Sequence, residues 1–182
     1  LLIVNGMPLN GIVTVSGPSA PSGVAFLPGT QTLGGAAEVV LGTASGSDVF
    51  SLGFTGSSTV TIGSGIKIHG RGTITQGVAS TLINNGTISA DVAGQGLIIG
   101  GSVFTNNGTI SAINGGTLSV TSTSWSNTAT GSASATSSTM SLAGNTWSNA
   151  AAGVISAVNS PLTLGGAWST LNTITVNATA LN

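Results

Sequence analysis

Leu82, Phe104, Trp125, Trp147 and Trp168 recur at successive spacings of 22, 21, 22 and 21. Other positions keep step with these anchors. Asn84, Asn106, Asn127 and Asn149 each follow an anchor by two residues. Ile88, Ile110, Ala133, Ile155 and Ile174 form an apolar column, and Ala90, Ala112, Ala135, Ala157 and Val176 form the next. Leu97, Leu118, Met140, Leu162 and Leu181 make a third column; Ile99, Val120, Leu142 and Leu164 make a fourth. Stepping upstream by 22 puts Val60 in the anchor column, Ile66 and Ile68 in the first two strand columns, and Ile74 near the Leu97 column. Several columns in step are the signature of a repeat architecture, in which each repeat is one structural unit.

Within a unit the apolar residues pair at a spacing of two, as in Ile110 with Ala112 and Leu118 with Val120. That is the period of a strand with one face inward. Thr109, Ser111, Thr117 and Ser119 alternate with them and point outward. Gly and Asn gather between the short strands, where tight turns need positive φ. One unit cannot bury its own inward face. Stacking units does so, and pairs the backbone of each with its neighbours. The expected fold is all-β: a right-handed parallel β-helix, or β-solenoid, with coils of about 21–22 residues. At ~4.8 Å per coil, about eight coils give a rod of roughly 40 Å.

Residues 60–182 form the regular part. Residues 1–59 fit the period less well and read as an irregular β segment: a cap, a docking segment or degenerate coils. Short strands are expected at 12–15, 23–26, 37–42 and 48–54. Pro8, Pro18, Pro21 and Pro28 interrupt pairing there. The chain opens on Leu1 without a charged leader and stops within a repeat, so it reads as a processed product or part of a longer polypeptide.

Charge narrows the function. The formally charged residues are Glu38, Asp48, Lys67, Arg71 and Asp91, and His69 lies in the same stretch. Two cations are too few for a nucleic-acid footprint. With no Cys, a disulfide framework or thiolate metal site is impossible. No apolar run reaches the ~18 residues of a membrane span. Ordinary disorder does not fit a chain that is 40% hydrophobic with a mean hydropathy of +0.50.

Chemical candidates are few. A shift of 22 sets Asp91 beside His69, next to Lys67 and Arg71, so a lateral His69–Asp91 pair is expected. Such a cluster reads either as an acid/base site on the flank of the rod or as a surface ion pair; the surface pair is the simpler reading. A paired-carboxylate site would have to use Asp48 and Asp91. A calcium-binding repeat needs an Asp in every turn, and residues 92–182 carry no acidic side chain. Thr59–Thr61, Thr73–Thr75, Thr121–Thr123 and Thr173–Thr175 do not share one column, which argues against an ice-binding face. Asn84, Asn106, Asn127 and Asn149 should stack as an amide ladder. Trp125, Trp147 and Trp168 should stack too, inside the rod rather than as a sugar platform. Asn85-Gly-Thr87, Asn107-Gly-Thr109 and Asn177-Ala-Thr179 match the glycosylation sequon, at a frequency that the composition alone explains. No cofactor or metal site is expected, and no catalytic residue.

The units INNGTISADVAGQGLIIGG, TNNGTISAINGGTLSV and WSNAAAGVISAVNSPLTLGGAWS resemble repeats of bacterial surface proteins. These are the β-solenoid stalks of filamentous-haemagglutinin-like adhesins and autotransporter passenger domains. The likeness covers about residues 60–182. It implies secretion, a cell-surface or extracellular location, and an adhesive, stalk or fibre-forming role. It carries no catalytic residue onto this chain. The partners it suggests are copies of the chain, further coils of the same chain, and cell-surface or matrix glycans. A polymerising subunit joined through residues 1–37 or its end coils is a specific version. A sheet edge without charge or cap at Asn182 would favour such joining. The alternative is a carbohydrate-active β-helix enzyme with a site near Lys67, His69, Arg71 and Asp91.

Overall fold

Each regular coil is three short strands joined by tight corners. One coil runs Val103–Asn106, Thr109–Ala112 and Thr117–Val120. The computed structural model describes residues 1–16, 23–42, 49–52 and 57–177. These form an all-β parallel β-solenoid of about seven coils, slightly fewer than the eight expected from length. Thr, Ile and Val suit a pleated, half-buried surface, and each inward face is covered only by the coils around it.

Three faces result. The anchor face stacks Thr81–Asn84, Val103–Asn106, Ser124–Asn127, Thr146–Asn149 and Ala167–Thr170 in parallel register. The second face stacks Thr87–Ala90, Thr109–Ala112, Ser132–Thr136, Val154–Val158 and Ile174–Asn177. The third stacks Gly96–Ile99, Thr117–Val120, Thr139–Leu142 and Leu162–Leu164. Leu82 faces Phe104, Phe104 faces Trp125, Trp125 faces Trp147, and Trp147 faces Trp168. The Ile88 and Ala90 columns also pair as their spacing requires, through Ile174 and Val176. Leu181 lies outside the described residues.

The upstream coils are built on longer steps. Leu2–Ile3, Gly23–Phe26, Val49–Leu52 and Gly72–Gln76 continue the third face. Gly29–Leu41 is one long strand across two faces. Its first half pairs with Ser58–Ile62 and its second half with Ile66–Gly70. Met7–Val15 pairs along it from the other side. Val39 pairs with Ile68 and Ile68 with Ile88, so a long step is followed by one shorter than the regular period.

That short step corrects the expected alignment. Ile68 faces Ile88 and Gly70 faces Ala90, two residues away from a uniform shift of 22. Ile74 pairs with Ile99 rather than with the Leu97 column, which meets Gly72. A two-residue shift keeps the same side chains inside, so apolar alternation does not distinguish the registers.

The core is a continuous apolar column from Ile3 to Ala157, including Phe26, Phe50, Ile68, Ile88, Phe104 and Trp125. Corners are set by backbone geometry. At Ile113–Gly116, Asn114 and Gly115 both have positive φ (57° and 77°), and Gly116 N–H donates to Ile113 O at 3.0 Å. Asn and Gly accept that conformation at little cost.

Candidate functional site

The strand Ile66–Gly70 turns Ile66 and Ile68 inward and leaves Lys67 and His69 on the flank. His69 faces Ser89, and Asp91 follows two residues later. The two side chains still meet: His69 Nδ1 lies 2.8 Å from Asp91 Oδ2. From the preceding coil, Glu38 sits opposite Lys67. Its Oε1 is 3.7 Å from Lys67 Nζ and its Oε2 is 3.7 Å from His69 Nε2. Arg71 turns the other way. Its Nε donates to Gly42 O at 2.9 Å and its Nη1 to Gln95 Oε1 at 3.2 Å. The structure thus gathers His69, Asp91, Lys67 and Glu38 into one patch across three successive coils, with Arg71 beside it. Asp48, and with it the Asp48–Asp91 pair, lies outside the described residues.

Glu38 is the member that the repeat conceals. A period of 22 does not connect it to Lys67, because the step between those coils is longer. The available signal is the alternation Ala37-Glu38-Val39-Val40-Leu41 beside Ile66-Lys67-Ile68-His69.

The chemistry open to this patch is limited by access. His69 Nδ1–H points to the Asp91 carboxylate, which leaves Nε2 for any acid/base role. Nε2 is buried and has no hydrogen-bond partner. Glu38 stands over it, too far for a hydrogen bond. A working base needs its atom within reach of the substrate proton. Here the nearest group is a second carboxylate. Among the described residues no three His, Asp or Glu side chains form a metal-ligand set. No described helix is long and apolar enough to cross a membrane.

Two ladders run through the interior. Asn84 Nδ2 donates to Asn106 Oδ1, Asn106 to Asn127, and Asn127 to Asn149, each at 2.8 Å. The last, Asn149, donates to Thr170 Oγ1 at 3.2 Å. All four Asn side chains are buried. They occupy the corner between the anchor and second faces. Their Nδ2 groups also reach corner carbonyls, such as Gly131 O and Val154 O from Asn127. An inverted amide would set oxygen against oxygen, so the surroundings fix the orientation. Upstream, the same column holds Leu33 and Ile62.

The aromatic ladder fills the corner between the third and anchor faces. Trp125 and Trp147 stack at 4.7 Å and 12°, and Trp147 and Trp168 at 5.5 Å and 17°. Trp125 Nε1 donates to Ala143 O and Trp147 Nε1 to Gly165 O. Trp125 and Trp147 are buried, whereas Trp168 is 45% exposed. The buried indoles have no face free for a sugar ring.

The remaining sequence candidates are polar surface features. Asn107 Nδ2 donates to Asn85 Oδ1 at 2.9 Å, so the first two sequon amides bond each other. Thr179 of the third sequon lies outside the described residues. Ser111, expected on the outside, is 8% exposed and donates to Ser89 Oγ at 3.0 Å. The Thr59–Thr61 pair lies on the anchor face and Thr73–Thr75 on the third.

Fold and ladders define the class: a parallel β-solenoid held by internal polar and aromatic stacks. Comparison with protein-family models, curated proteins and solved structures finds no match for this chain.

Proposed function

We propose that this chain is a structural, non-catalytic β-solenoid: a segment or subunit of an extracellular bacterial adhesin, stalk or matrix fibre. The observation that carries this reading is the pair of stacked ladders, amides from Asn84 to Asn149 and indoles from Trp125 to Trp168, beneath a nearly uncharged surface. From Asn84 to Asn149 each coil repeats the amide contact of the coil before it, an architecture that extends by addition of like coils. Residues 92–182 have no charged side chain to oppose a neighbouring rod or coil. Copies of the chain, or further coils of the same chain, are the partners this suits. Cell-surface or matrix glycans are the targets suggested by the likeness of the repeats to surface adhesins.

Electron microscopy of the purified chain tests the reading: filaments support it, and dispersed particles at high concentration oppose it. A glycan-depolymerisation assay on wild type and His69→Ala tests the non-catalytic part. Turnover lost in that variant would establish an enzyme instead.

A further inference from the structure

Resting on the reading that copies of this chain are its partners, we propose that they join head to tail in one register. Ala167–Thr170 and Ile174–Asn177 of one copy seat on Met7–Val15 of the next. Among the described residues, Met7–Val15 pairs along one edge, with Gly29–Leu41. Ala167–Thr170 and Ile174–Asn177 likewise pair along one edge, with the coil before them. These strands border the two ends of the described stack, and each leaves a row of backbone donors and acceptors. The pairings at both ends are parallel. A copy added head to tail therefore meets strands running its own way, and such a contact repeats without closing.

The columns of the rod set the register of this joint. Met7 stands in the column of Leu33, Ile62 and the ladder Asn residues, which runs on to Thr170. Val13 shares the column that runs to Ile174, and Val15 the one that runs to Val176. A copy in register sets Met7 on Thr170, Val13 on Ile174 and Val15 on Val176. Corner lengths agree with this match. Thr170 to Ile174 is a step of four residues, and Met7 to Val13 a step of six. The rod makes the same change internally, where Asn106 to Ile110, a step of four, is followed by Asn127 to Ala133, a step of six.

The amide ladder does not have to cross the joint. Thr170 Oγ1 accepts from Asn149 Nδ2 and donates to Asn172 O, and Asn172 Nδ2 donates to Gly153 O at 2.9 Å. The ladder is thus closed by its own coil. At its other end Gly86 N–H donates to Asn84 Oδ1 at 3.1 Å, and the next residue in the column is the apolar Ile62. Met7 over Thr170 repeats that change from polar to apolar. Apolar surface is what both ends leave to be covered. Trp168 is 45% and Val176 50% exposed, and Met7 and Val13 are only partly buried. Residues 1–37 and 92–182 carry no charged side chain, so no side-chain charge has to leave water when the ends meet.

Cysteine cross-linking tests the joint, because the chain has no Cys of its own. Val13→Cys and Ile174→Cys are made as separate whole chains, then oxidised apart and mixed. Neighbours in one column lie about 4.8 Å apart, within the Cα span of a disulfide. The mixture is expected to give a disulfide-linked band of twice the monomer mass on a non-reducing gel. Each variant alone is expected to stay monomeric there. Linked dimers from one variant alone show like ends meeting and overturn the proposal. Filaments without a linked band in the mixture overturn the joint and leave association between copies standing, whereas no association at all overturns both. Wild-type protein gives a second answer without substitution. Trp168 is the exposed member of the three tryptophans, with Trp125 and Trp147 buried. Acrylamide quenching of tryptophan fluorescence should therefore fall as concentration rises and the ends are covered. Quenching that stays constant while the protein assembles overturns the joint.

Discussion

Asn106 Nδ2 donates to Asn127 Oδ1 across 2.8 Å, with both side chains fully buried. Asn127 is both acceptor and donor: it receives from Asn106 and gives to Asn149, Gly131 O and Val154 O. Asn127→Leu should cost about 3 kcal/mol, because it leaves buried acceptors without their donor. Asn127→Asp should cost more, because a buried carboxylate would face Asn149 Oδ1 and two carbonyls. Denaturant midpoints of the two variants give the order, and an Asp variant as stable as wild type would contradict the ladder.

The Trp stack grades its members by burial. Trp147 lies between two indoles, whereas Trp168 has one such neighbour and is 45% exposed. Trp147→Ala should cost about 3–5 kcal/mol. Trp168→Ala should cost about 1–2 kcal/mol, in line with its smaller buried area. Trp147→Phe keeps a ring but loses the donor to Gly165 O, a loss of about 1 kcal/mol beyond packing. Thermal and urea unfolding of the three variants read these differences.

Gly166 is required by the close approach of two coils. Its φ is +76°, and a Cβ there would collide with Gly144 O. Gly166→Ala should destabilise by about 2–4 kcal/mol. Gly94 has a similar φ of +68° with open space around it. Gly94→Asn should stay within about 1 kcal/mol of wild type, since Asn tolerates that conformation. Equal effects at the two sites in urea unfolding would show that the close approach of the coils does not matter.

Charge on the neutral surface should separate folding from association. Ser126 and Ser148 face each other on adjacent coils of the anchor face. Lysine at both places like charges side by side, at a cost to the fold of under about 1 kcal/mol. If neutral flanks promote packing between rods, the double substitution should lower the fraction pelleted by centrifugation. An unchanged pellet with an unchanged melting curve would show that this face plays no part.

The parts of this fold visible in the sequence are those that repeat. Trp125, Trp147, Asn106 and Asn127 recur at an almost constant step, so their neighbours in space follow from their spacing. The Ile66–Gly70 junction was less legible, because a two-residue shift leaves the inward faces unchanged. The contact between His69 and Asp91 was nevertheless readable at a spacing of 22, since the side chains bridge the shift that their backbones make. Glu38 was hidden by its long step to Lys67. No periodicity marks that step, and the long strand Gly29–Leu41 that sets it has no counterpart among the regular coils.

The proposed extension of this chain by stacked coils is tested most directly by diffraction from aligned, concentrated protein. A reflection at ~4.8 Å along the fibre axis is the expected result, because successive coils stack in that direction. Solutions that remain dispersed 17.4 kDa monomers at every concentration, and give no oriented ~4.8 Å reflection, would contradict it.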